Sequence, residues 1–191
     1  MPVWGWVVIA AGVLLLLAVA WAVARKARTR ALEHRFGPEY GRALEEHGDR
    51  RSAESDLRER EDARDRLEIR PLPEAARERY LESWAAVQSR FVDDPPAAVN
   101  EADRLVAEVM RERGYPVDDF EQQAALVSVD HPQVVENYRL AHDIHLRYDR
   151  GDAGTEDLRR AMQHYRALFE ELVDAQSTRD DQRVVSSARE A

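Results

Sequence analysis

The sequence predicts an all-α protein with one N-terminal transmembrane helix, a charged juxtamembrane helix and an up-down helical bundle. Three observations predict it. Val3 to Ala24 is an unbroken run without a charged side chain. Beyond Arg25, apolar residues return at every third and fourth position, with no strand-like alternation and no hairpin dipeptide such as Asn-Gly. Gly, Pro and Asp fall where such helices would start and stop.

The first element is the apolar run. As a helix, its 22 residues would span about 33 Å, enough for a hydrocarbon core. Trp4 and Trp6 at one end and Trp21 at the other suit the two interfacial belts. The competing reading is a cleaved signal peptide, since Ala18-Val19-Ala20 and Ala22-Val23-Ala24 both have the small-x-small form of a cleavage site. Against it, Met1–Trp6 has no Lys or Arg, and the run is longer than a usual signal core. Directly after the run come Arg25, Lys26, Arg28 and Arg30. The positive-inside rule then predicts a single-pass protein of the cell membrane, N-terminus out and C-terminal domain cytoplasmic. The same basic residues suit a second role, binding anionic lipid. Gly5 and Gly12, and Ala18 and Ala22, are spaced for close helix approach, which raises a homodimer as an alternative.

Residues 1–24 are thus read as anchor, 25–72 as a charged juxtamembrane helical region, 73–174 as the bundle and 175–191 as a flexible tail. Gly37-Pro38 and Gly48 interrupt the juxtamembrane region. Arg51 to Glu68 is densely charged, with Arg60 and Arg64 at would-be seam positions, so a solvated helix or stalk is preferred to a coiled coil. Pro71 and Pro73 mark a boundary. The next helix, Pro73 to Val92, carries Tyr80, Leu81, Trp84, Val87, Phe91 and Val92. Asp94 and Pro95 open a helix that Gly114 closes, striped by Val99, Ala102, Leu105, Val106, Val109 and Met110. A short helix follows Asp118-Asp119 and ends near Val127; another starts at Asp130-His131-Pro132 and carries Tyr138, Ala141 and Ile144. The last begins at Thr155 and shows Leu158, Ala161, Met162, Tyr165, Leu168, Phe169, Leu172 and Val173.

The stretch VDDFEQQAALVSVDHP, Val117 to Pro132, is where acid/base or metal chemistry would be sought first. Capping of free backbone N–H groups explains its aspartates more simply. A metal-assisted hydrolase is the competing enzyme reading, with His131, His142, His145 and His164 as candidate ligands. His142 and His145 share a helix face, yet neither His-Glu-x-x-His nor Glu-x-x-His occurs. With no cysteine there is no disulfide, thiolate site or cysteine nucleophile. No glycine-rich phosphate loop and no Gly-x-Ser-x-Gly elbow are present. Residues 31–191 hold 24 of the 28 basic and all 37 acidic side chains, a net −13, which argues against nucleic acid as a partner. No cofactor is expected.

The phrases RFGPEYGRALEEHGDRRSAESDLRERE, FVDDPPAAVNEADRLVAEVMRERGYP, SVDHPQVVENYR and TEDLRRAMQHYRALFEELV resemble a bacterial family of small single-pass membrane proteins with a helical domain and no assigned function. The resemblance covers nearly the whole chain. It implies an anchor and a helical domain, and it brings no catalytic or binding residue with it. The function expected from the residues is a non-catalytic interaction or adaptor module at the cytoplasmic face, with the lipid bilayer and a protein as partners. The alternatives are the histidine-cluster hydrolase and an exported envelope structural protein, which needs the opposite topology.

Overall fold

In a computed structural model of the chain, residues 3–174 are described, apart from the side chains of 3–11 and 14; the expected tail lies outside the described residues. They form eight helices and no strand. The chain divides into two compact units, Met1–Arg58 and Glu59–Ala191.

The first unit holds α1 (Val3–Phe36), α2 (Pro38–His47) and the first half of α3 (Arg50–Asp65). Gly37, at φ 48°, breaks the helix between α1 and α2, and Pro38 then occupies the first turn of α2, where its missing N–H costs nothing. Asp49 caps α3 by accepting the backbone N–H groups of Arg51 and Ser52. Among the described residues of this unit, the buried apolar side chains are Leu32, Phe36, Tyr40, Ala43, Ala53 and Leu57.

The expected transmembrane helix requires correction. Among the described residues, no helix is long and apolar enough to cross a membrane. α1 runs without a break from Val3 to Phe36, past the expected anchor boundary at Ala24. Its described apolar stretch from Leu15 to Ala24 has 10 residues, about 15 Å of helix, roughly half of a hydrocarbon core. The next turns carry Arg25, Lys26, Arg28 and Arg30. The remainder of the predicted span, residues 3–11 and 14, has its side chains outside the described set. The fold class is therefore all-helical without the spanning element.

The second unit is a helical bundle: α4 (Glu74–Arg90), α5 (Pro95–Arg113), α6 (Phe120–Asp130), α7 (Val135–Asp149) and α8 (Thr155–Asp174). α8 packs on both α5 and α7, α4 packs on α5, and the short α6 leans on α7. All six predicted stripe residues of α5 and all eight of α8 are buried, so periodicity located the core correctly. Trp84 stacks on Phe169 at 4.7 Å between ring centroids, joining α4 to α8. α4 ends two residues before the predicted limit, and Val92 beyond it is exposed.

Two buried phenols of the bundle are paired with side chains of neighbouring helices. Tyr138 donates to Gln123 Oε1 at 2.8 Å, and Tyr165 donates to Asp103 Oδ1 at 2.9 Å. Burial raises the pKa of both phenols, so they stay neutral donors. At the end of α5, Gly114 adopts φ 100°, and a Cβ there would sit 2.6 Å from the carbonyl oxygen of Glu68. Arg70 N–H donates to the Arg113 carbonyl at 2.8 Å beside it. The segment after α3 is thus seated against the closing turn of α5.

Candidate functional site

The stretch Val117–Pro132 resolves into three different roles. Asp119 caps α6: its Oδ1 accepts the Gln122 N–H at 2.8 Å. Asp118 is exposed. Asp130 is not a cap. Its carboxylate accepts from Arg64 Nε at 2.9 and 2.8 Å and from the Tyr115 hydroxyl at 2.6 Å. Partial burial works against the charge on Asp130, but the bonds from Arg64 and Tyr115 hold its carboxyl below the usual carboxylate range. α7 begins at Val135, not at Pro132, and its opening carbonyl partner is His131, which accepts the Val134 and Val135 N–H groups.

His131 is only 5% exposed. Its Nδ1 lies 2.9 Å from Glu171 Oε1, and its Nε2 lies 3.5 Å from Arg113 Nη1. A carboxylate can only accept and a guanidinium can only donate. The neutral ring protonated at Nδ1 therefore suits both neighbours, while imidazolium would aim a second N–H at Arg113. Burial lowers its pKa first, Glu171 opposes this, and Arg113 adds to it. Arg113 itself, 3% exposed, donates to the Leu172 carbonyl at 2.9 Å, near the C-terminal end of α8. This cluster ties the ends of α3, α5, α6 and α8 together. Asp130 is bonded by Arg64 and Tyr115, His131 by Glu171, and Arg113 donates to a backbone carbonyl, so the chemistry of the cluster is that of a fastening.

The other candidate ligands are dispersed. His142 stacks on Phe120 at 3.7 Å between ring centroids. His145 Nε2 faces Asp149 at 3.6 Å, and His164 Nδ1 lies 2.8 Å from Asn137 Oδ1. Among the described residues, no three His, Asp or Glu side chains converge in a group able to hold a metal. His142 and His145 share a face by spacing but point to different neighbours.

The surface with the greatest chemical character is in the first unit. Val13, Leu15, Leu16, Leu17, Val19, Trp21 and Val23 are all exposed, and at 100° per residue they cover about two thirds of the circumference of α1, the exposed Ala18 and Ala22 filling the remaining sector. Arg25, Lys26, Arg28 and Arg30 follow, all exposed. The Arg25 guanidinium lies 5.5 Å from the centre of the Trp21 ring. A groove of about 550 Å³ opens here, lined from α1 by Trp21, Arg25 and Arg28 and from α3 by Arg51, Glu54 and Arg58. A shallower one of about 400 Å³ shares Trp21 and Arg25 and adds Lys26, Arg30 and Arg50.

Beneath the groove, Glu54 is buried and its bonds are made within the unit. It accepts from the Thr29 hydroxyl at 2.7 Å, from Arg58 Nη2 at 2.9 Å and from the Tyr40 hydroxyl at 3.4 Å. Sequence reasoning found the basic residues of α1 and marked the charged helix from Arg51 to Glu68, where a partner surface would be sought, but did not join the two. The available signal was spacing: Arg51, Glu54 and Arg58 fall at i, i+3 and i+7, one face of a helix. Trp21, Arg25 and Arg28 fall at i, i+4 and i+7, again one face.

No family model matches this chain, and neither a curated protein nor a solved structure is similar to it.

Proposed function

We propose that the protein is a non-catalytic interaction module held at a lipid bilayer by the apolar end of α1 and the basic turns that follow it. The observation that carries this reading is the apolar sleeve formed by Val13 and residues 15–23, exposed around the helix and followed by Arg25, Lys26, Arg28 and Arg30. An amphipathic helix needs a core on one side only; a sleeve apolar all round needs apolar surroundings. The adjoining positive charge favours the cytoplasmic leaflet, whose anionic lipids attract juxtamembrane basic residues. The helical bundle that follows is the part offered to a protein partner. Its candidate site residues Asp119, Asp130, His131, His145 and His164 are each engaged in a cap, an ion pair or a hydrogen bond, which supports a binding role over a catalytic one.

Vesicle flotation tests the reading. Full-length protein is expected to float with phosphatidylcholine vesicles, and protein lacking residues 1–24 is expected to stay at the bottom of the gradient. If the truncated form floats as well as the full chain, the attachment lies elsewhere and this proposal fails.

A further inference from the structure

The charge balance around the α1–α3 groove is unlike the rest of the chain. Acidic side chains outnumber Lys and Arg by 37 to 28. Arginines of the bundle such as Arg64, Arg77, Arg90, Arg104, Arg159 and Arg166 each have a carboxylate within reach. In the groove, Glu54 engages Arg58. Among the described residues, no carboxylate lies within ion-pair distance of Arg25, Arg28 or Arg51. Three like charges gathered from two helices around one concavity repel one another unless an anion sits between them. The volume of about 550 Å³ is within the range of small-molecule sites.

We propose that this groove binds a phosphate group, specifically the phosphate headgroup of an anionic lipid. Guanidinium groups suit phosphate because their paired N–H donors match its oxygens. The lipid source follows from what adjoins them. Leu17 and Trp21 stand one turn apart and share the face of Arg25 and Arg28 by spacing, both exposed. They give an acyl chain an apolar path leading away from the arginines, which a free phosphate would not use. This inference rests on the bilayer reading above and names the ligand of its basic surface.

The test uses full-length protein in neutral-detergent micelles, titrated by calorimetry with short-chain phosphatidic acid, short-chain phosphatidylcholine and inorganic phosphate. Phosphatidic acid is expected to bind saturably, and inorganic phosphate to compete for the same site at least about tenfold more weakly. Phosphatidylcholine is expected not to compete. Binding of phosphatidic acid by the variant R25Q/R28Q/R51Q is expected to weaken roughly 10- to 100-fold. R79Q/R104Q/R166Q, with the same change in charge on exposed bundle positions, is expected to bind as the unaltered chain does.

The proposal is overturned if the groove variant retains full affinity, or if both variants lose affinity equally, which would mean net charge alone. Inorganic phosphate binding as tightly as phosphatidic acid overturns the lipid assignment. These outcomes differ from failure of the bilayer reading, in which the full chain does not float with vesicles of any composition.

Discussion

Arg64 Nε lies 2.9 and 2.8 Å from the two carboxylate oxygens of Asp130, a residue 66 positions further along the chain. Tyr115 donates to the same carboxylate at 2.6 Å. Removing the acid leaves a half-buried guanidinium and a buried phenol without their acceptor. Asp130→Ala is expected to destabilise the bundle by about 2–4 kcal/mol, since breaking one side of a largely buried pair exposes the full desolvation cost of the other. Denaturant unfolding followed by circular dichroism measures this; a change below about 0.5 kcal/mol would show that the contact is dispensable.

The aspartate eleven residues earlier has a smaller task. Asp119→Ala is expected to cost about 1 kcal/mol through loss of the α6 cap, and Asp118→Ala to stay within about 0.5 kcal/mol. Comparing the three alanine variants by thermal unfolding checks the ranking Asp130, then Asp119, then Asp118. An inverted order would refute the assignment of roles.

Acid is expected to weaken the bundle in two stages. His131 has a folded pKa lowered from its ordinary 6.5, so the unfolded chain takes up its proton first. Its contribution is complete above about pH 6.5 and declines as pH falls toward the folded value. Asp130 has a folded pKa lowered from 3.8. Its contribution is complete above that range and is lost only as pH falls further, through the folded value. Unfolding free energy measured from pH 8 to pH 3 should therefore decline below about pH 6.5; His142 and His164, whose pKa values burial also lowers, add to this first stage, and His131→Gln should reduce its slope. An identical slope in that variant would remove His131 from the account.

The closing turn of α5 leaves no room for a side chain. Gly114→Ala would place a Cβ against the backbone oxygen of Glu68 at 2.6 Å, at a φ of 100° that alanine rarely adopts. A loss of about 2–4 kcal/mol is expected from clash and strain together, whereas Gly151→Ala, with open space around it, should cost only the strain of its positive φ, about 1–2 kcal/mol. Chemical denaturation of both variants distinguishes steric from conformational cost.

The bundle core depends on the Trp84–Phe169 stack. Phe169→Ala is expected to cost about 3–5 kcal/mol as a large buried ring is replaced by a cavity. Tryptophan fluorescence should shift to the red as Trp84 gains water. An unshifted spectrum with unchanged stability would contradict the packing.

Much of this architecture was legible in the residues. The stripes of α5 and α8 predicted their buried faces because helical packing writes a period of three to four directly into sequence. Asp94 and Gly114 marked the ends of α5 because capping is local. Asp130 was read as a cap like Asp119 because residue type and local spacing are the same for both. What separates them is Arg64 and Tyr115, brought together by tertiary packing alone. The histidines of α7 show the same limit: His142 and His145 share a helix face, but the neighbours that occupy them come from other parts of the chain in one case and from the same helix in the other. The groove was half visible, since the basic turns of α1 are contiguous while Arg51 and Arg58 belong to a helix read as a solvated stalk. The transmembrane element was over-read from the uncharged run, which the described part of α1 does not sustain as a span.

α1 passes from its apolar sleeve through the arginines to the buried Leu32 and Phe36 with no break. A continuous helix transmits angular phase as well as length. Inserting a single alanine between Arg28 and Thr29 would turn Trp21, Arg25 and Arg28 by about 100° relative to Thr29 and Leu32, leaving the charge untouched. Inserting seven residues would restore the original heading to within about 20° but lift the sleeve by about 10 Å. The helix therefore acts as a shaft whose setting can be advanced by known increments, separating the direction in which its arginines face from the height at which they stand.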